Sequence, residues 1–366
     1  MNIPDATNAP DSDDVHAGYT PEGGVLARLR EWTDVFGWLR LVHVLRIAGS
    51  VTALGTVAIT LAIWVLGVQW IGNPKEPDEF ARFGTAVQVS GLQSVVGRYA
   101  VATPSSLLDR RDFPSSLRRS LLFVVWSTFT WAPAMLYLMR QGALLTAGRS
   151  LADAKEAAGL AIRRTPLAWL IATIPLVCGL AVGISVMLLG LISRVSMGVQ
   201  WIEFFFAVGI AIVSIVGGVL LFGANFSVLL GWTSLINEEQ PDALDSLSRG
   251  YEYLYRRPLH LAMYLAIALI PLWVVVRLSA GITQSAAHLC QRMLSASGAS
   301  DNVRDMASQL MFQFPTVVAI TLAGGLLGGI YLLIRCDAGG QEVEDVWIAS
   351  AASRPSLPAL PNSASE

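Results

Sequence analysis

A chain of 366 residues that is 54% hydrophobic and only 14% charged departs from the soluble norm, where roughly a quarter of residues are charged. Its formal charge of -2 provides no basic field, which excludes nucleic acid as a partner. Uncharged stretches of about 20 residues recur, the length that crosses a hydrocarbon layer of about 30 Å, and they lack the polar faces a soluble helical protein would need.

Residues 1–24 are acidic, rich in Pro and Gly and poor in large apolar side chains, the composition of a disordered tail. A cleavable signal peptide would instead start basic and pass at once into an apolar core. Residues 25–46 mix Leu, Trp, Phe and Val with Arg at helical spacing, including Trp32, Trp38, Arg40 and Arg46. This pattern predicts an amphipathic helix in the headgroup region. The first span is expected at 47–71, with Trp64 and Trp70 toward its far interface. Residues 80–116 are too polar to cross lipid and too apolar for a plain loop. They read as a helix lying on the membrane or against the bundle, or as a re-entrant segment whose backbone would need protein cover.

The second span is predicted at 117–140, kinked at Pro133, and the third at 167–193. The fourth, 203–232, is longer than the hydrocarbon requires and must tilt or extend beyond it. The fifth covers 259–276. After it, Leu289, Met293, Val303, Met306 and Leu310 recur at helical spacing around a SASGASD interruption, which predicts two short amphipathic helices and a turn. The sixth span is 314–334. Residues 337–366 carry a short acidic patch and then a Ser/Pro-rich stretch whose composition is that of a disordered end. The expected fold class is therefore all-α: a polytopic transmembrane helical bundle over 25–336, with six spans and amphipathic interfacial helices.

One unit occurs twice. Asp153-Ala154 opens a short amphipathic segment that reaches Arg163 and Arg164 just before Pro166; Asp242-Ala243 opens another that reaches Arg256 and Arg257 just before Pro258. Each is flanked by apolar runs, giving membrane helix, interfacial helix, basic collar, membrane helix. The two Asp residues suit helix N-caps. The four Arg residues suit a collar that fixes topology and meets lipid phosphate. The linkers carry Arg140, Arg149, Lys155 and these arginines with Arg249, against Arg194 alone between the third and fourth spans. The positive-inside rule then places both linkers in the cytoplasm. With six spans, both termini follow, in the plasma (inner) membrane; over the whole chain the bias is small, and Arg110, Arg111, Arg118 and Arg119 before the second span argue the other way.

This pattern resembles poorly characterised six-helix bacterial membrane families, among them the membrane region attached to some glycerophosphodiester phosphodiesterases. The likeness rests on residues 154–175 and 243–271. It implies a membrane fold, and it carries over no activity, since no phosphodiesterase barrel accompanies it here.

Few residues offer chemistry. Asn225 is the clearest polar side chain at membrane depth, where an amide seeks a partner across a helix interface. Glu203 sits at the outer edge of the same span, where a carboxylate suits a helix N-terminus. No ionisable group stands in mid-membrane, so a proton relay has little to work with. Metal, cofactor and catalytic motifs are absent. Gly324, Gly325, Gly328 and Gly329, with Gly217 and Gly218, predict close helix packing, within the bundle or between copies. These features point to a non-enzymatic scaffold or modulator of a membrane complex or of the bilayer. Its partners would be membrane lipids and a membrane or cytoplasmic protein. The alternative is a permease for a neutral or lipid-like solute, suggested by Pro133, Pro175 and Pro271 within spans.

Overall fold

A computed structural model describes residues 36–71, 113–193, 200–240, 242–339 and 341–347. Among them all regular structure is helical, and six helices are long and apolar enough to cross a membrane. The protein is an all-α helical bundle. It begins with an entry helix, Gly37–Gly49, followed by α1 (Val51–Ile71), α2 (Phe113–Thr146), α3 (Ala154–Ser193) and α4 (Gln200–Asn237). Then come α5 (Ala243–Arg256), α6 (Pro258–Ala296), α7 (Asp301–Phe312) and α8 (Phe314–Gly339). Residues 341–347 continue from α8 as an irregular strap. The predicted 1–24 tail, most of 80–116 and the end of the C-terminal tail lie outside the described residues.

The entry helix is of the tight 3-10 type, closed by bonds such as Leu39 N–H to Phe36 O and Ser50 N–H to Ile47 O. Three residues per turn place i, i+3 and i+6 on one face. The buried side chains are accordingly Leu41, Val44 and Ile47. The sequence suggested α-periodicity here; the period actually buried is three.

Successive spans run antiparallel. Thr52 meets Tyr137 and Trp64 donates to Ser127, so α1 ascends where α2 descends. Both linkers, the entry helix and the strap therefore gather at one end of the bundle. Burial is concentrated there. On α2 the side chains from Ala132 to Ala147 are nearly all buried, while Leu122, Val124, Val125 and Phe129 are exposed. On α3 the buried positions stop at Pro175, and the apolar side chains beyond it face outward. The first half of α4 is as exposed, from Trp201 through Phe222. The molecule thus has a packed linker-end layer and an apolar, splayed far layer suited to lipid.

At the centre stands α8, buried from Val317 to Arg335. Its glycines explain how. A Cβ on Gly328 would lie 2.1 Å from Met139 O, and one on Gly324 2.9 Å from Leu138. Gly325 and Gly329 face Val44 and Leu41 of the entry helix at 3.0 and 2.7 Å. The four glycines let α8 lie directly against α2 on one side and the entry helix on the other. Gly217 performs the same task between α4 and Val182 of α3, whereas Gly218 meets nothing within 4 Å.

Three expectations need correction. The second and fourth spans extend further at the linker end than their hydropathy indicated, to Thr146 in place of 140 and to Asn237 in place of 232, where Leu144, Leu145, Leu235 and Ile236 are buried by protein. The first linker is not a separate interfacial helix: α3 runs unbroken from Ala154 through Pro166, and Thr165 Oγ1 donates to Ala161 O at 2.8 Å within that turn. The second linker does break, at Arg257, with Pro258 taking a first-turn position that needs no N–H donor. Finally, the first of the two helices predicted after the fifth span fuses with it into the 39-residue α6, and only α7 is separate. The turn between them carries Gly298 at φ 73°, the left-handed conformation that favours glycine.

Candidate functional site at the linker end

The polar side chains that the sequence scatters along the linkers converge where α4 ends. A helix C-terminus leaves carbonyls without intrahelical donors and carries partial negative charge. Arg164, from α3, meets that need by donating to Leu235 O, to Glu238 O at 2.7 Å and to Glu239 O at 3.4 Å. Its guanidinium is a cap on its neighbour. Asn237, at the last turn, donates to Thr233 O and accepts from Arg140 of α2 at 3.1 Å.

Beside this cap, Glu238 links three helices. Its Oε1 accepts from Ser234 at 2.8 Å, from Tyr331 of α8 at 2.7 Å and from Arg249 of α5. Arg249 also pairs with Asp245 at 2.7 Å. Burial pulls the Arg249 guanidinium down, but Glu238 and Asp245 more than offset this and hold its pKa above the usual arginine value. Asp242 caps α5 by accepting from Leu244 N–H at 3.2 Å; at Asp153 the main-chain carbonyl accepts from Ala157. Glu238, Glu239, Gln240, Asp242, Asp245 and Arg249 line one open, mainly acidic depression.

Helix α5 lies antiparallel along α4 with almost no gap. A Cβ on Gly250 would lie 2.3 Å from Ser227 O, and one on Gly231 3.1 Å from Ser246 O. Tyr251 and Tyr255 stack on each other and donate to Leu220 O and Val219 O. This places Asn225 level with an amphipathic helix bearing Arg249 and Glu252. Asn225 is exposed and donates to Leu221 O of its own helix at 3.2 Å. Glu203, at the opposite end of α4, is exposed in the first turn.

The four collar arginines separate. Arg163 is exposed, Arg256 is exposed and paired with Glu252 at 2.6 Å, and Arg257 is half-buried at the α5–α6 break. Arg164 faces inward and is buried. A single 100° step of the helix separates Arg163 from Arg164, and an Arg pair gives no hint of which member points in.

The strap completes the site. Val343 and Val346 are buried, and main-chain carbonyls of 342–347 accept from arginines on three sides. Arg335 donates to Glu342 O and Asp345 O, Arg149 to Glu344 O at 3.1 Å, and Arg140 to Trp347 O. Arg40 of the entry helix meets the Glu344 carboxylate at 3.4 Å. Trp347 lies against two cations, its ring 4.8 Å from the Arg164 guanidinium and 5.9 Å from that of Arg140, the geometry of a cation–π contact. Sequence reasoning missed Arg140, Glu238, Arg335 and Trp347. One signal existed: Val343 and the run Val346-Trp347-Ile348 are apolar residues interrupting an acidic stretch.

Among the described residues no three His, Cys, Asp or Glu side chains gather as metal ligands would. The site presents an acidic depression outward and holds a cluster of guanidinium groups beneath the strap. In comparison with known proteins, no family model, curated protein or solved structure matches the chain, and nothing there links it to the membrane region of glycerophosphodiester phosphodiesterases.

Proposed function

We propose that this chain is a non-enzymatic integral membrane protein that scaffolds or modulates a membrane complex through its linker end. The reading takes that end as cytoplasmic and the membrane as the plasma (inner) membrane. One observation supports it above others. The charged side chains of α5, Asp245, Glu252 and Arg256, face outward from a helix that is itself fixed along α4. The far halves of α3 and α4 present mainly apolar surface, with Glu203 exposed at the outer edge of α4. A rigid, charged ledge above lipid-facing helices suits recognition of another protein, because orientation is set before the partner arrives.

A photo-crosslinking residue at Glu252, in cells, tests this. A discrete adduct at Glu252, absent from a control at lipid-facing Ile215, is expected. Equal or absent labelling at both positions removes the ledge as a docking surface.

The permease reading draws on Pro133, Pro175 and Pro271, which lie inside α2, α3 and α6. Against it, the glycine contacts of α8 with α2 and the entry helix fill the centre of the bundle. Solute flux into proteoliposomes, lost on narrowing a proline-bearing helix face, would restore it.

A further inference from the structure

We propose that Arg140, Arg149 and Arg335 form a binding site for a phosphate-class anion, held closed by the strap 341–347. Arg140 and Arg335 are only 4% and 6% exposed. A buried charge is costly unless an opposite charge or a full set of hydrogen bonds meets it. Neither has a carboxylate within ion-pair distance among the described residues, and their acceptors are the Asn237 amide oxygen and main-chain carbonyls of Glu342, Asp345 and Trp347. Arg335 is also incompletely met: its Nε is buried with no hydrogen-bond partner. Arg164 adds a further buried cation next to Arg140, across the Trp347 ring.

The cluster therefore carries several positive charges against neutral oxygens. Guanidinium forks bind phosphate oxygens in pairs, with hydrogen bonds about twice as strong as neutral ones. A phosphate group would supply both the missing charge and acceptors for the donors that the strap now occupies. Among the described residues the strap's one carboxylate ion pair is Glu344 with Arg40, and that carboxylate is largely exposed, a type of pair that contributes little. The rest of its hold is the burial of Val343 and Val346, with its main-chain carbonyls and the Trp347 ring set against the same arginines a phosphate would engage. A phosphate could reach the site from lipid headgroups or from solution, since the chemistry is the same.

The test uses the full chain in nanodiscs, with native cysteines replaced and Val346→Cys as a reporter. Val346 is buried under the closed strap, so its maleimide labelling is slow until the strap lifts. Labelling accelerated severalfold by inorganic phosphate in phosphatidylcholine discs supports the site with a soluble ligand. Acceleration only in phosphatidylglycerol discs supports it with a headgroup. A rate unchanged in both overturns it. Two variants sharpen the result. Trp347→Ala, which loosens the strap and leaves the arginines intact, is expected to tighten binding of whichever probe works by about tenfold, equivalent to about 1.4 kcal/mol. Arg335→Gln is expected to abolish the response. Should Arg335→Gln not fold, an unchanged affinity in Trp347→Ala overturns the proposal by itself.

Discussion

Gly142 of α2 and Gly325 of α8 meet main chain to main chain. A Cβ placed on Gly142 would lie 1.9 Å from the carbonyl oxygen of Gly325. No rotamer change relieves a collision between two backbones, so the helices themselves would have to part.

Gly142→Ala is therefore expected to lower stability by about 1–3 kcal/mol, the usual range for overpacking. Gly183→Ala is the control, because nothing lies within 4 Å of its added methyl. That change should be neutral or slightly stabilising, since alanine favours helix by about 1 kcal/mol. Thermal unfolding in detergent, followed by tryptophan fluorescence, separates the two. Equal melting points would mean that α2 and α8 do not touch as described.

Glu238 receives three donors on one oxygen, so its neutral analogue removes the charge that strengthens all three bonds at once. Glu238→Gln should cost about 2 kcal/mol, discounted from a fully buried pair because Arg249 is partly exposed. Tyr331→Phe removes one of the same donors. The double variant should fall short of the sum of the singles. Strict additivity in denaturant unfolding would dissolve the hub.

Asp242 accepts a hydrogen bond from the first turn of α5. Asp242→Ala should cost about 1 kcal/mol and speed hydrogen exchange in that turn ahead of the rest of the helix. Protection unchanged at 244–246 would show that tyrosine contacts alone hold α5 in place.

The exposed pair Glu252–Arg256 has ordinary i, i+4 geometry. Glu252→Ala should shift stability by less than about 0.5 kcal/mol. A larger loss in the same unfolding assay would mean that this ledge is not free surface.

Lipid should distinguish two tryptophans. Trp232 is 5% exposed and donates to Ala168 O at 2.9 Å, while Trp273 on α6 is 52% exposed. In single-tryptophan variants, brominated lipids are expected to quench Trp273 strongly and Trp232 hardly at all. The reverse order would turn the bundle inside out.

Much of this architecture is legible in the sequence, because membrane spans declare themselves by length and lack of charge. The glycines of α8 were legible too, as small residues recur where helices must approach. What hydropathy cannot read is a helix end buried by protein rather than by lipid. Residues 143–146 and 233–237 look like loop margins by composition, yet every one of them is buried. Arg163 and Arg164 make the same point: adjacent in sequence and alike in charge, they are assigned opposite environments by a 100° step around α3. That α5 reaches along α4 to the level of Asn225 was not legible, because it depends on tertiary contact between Gly250 and Ser227. The strap was legible only in outline, since its anchoring is through main-chain carbonyls, which every residue possesses.

The entry helix has a consequence of its own. Because three residues close each of its turns, Leu41, Val44 and Ile47 form a ratchet in which only multiples of three keep registry. Deleting one residue between Leu41 and Ile47 would swing everything upstream by about 120°, carrying Arg40 away from Glu344, whereas deleting a whole triplet would shorten the segment and leave its facing unchanged.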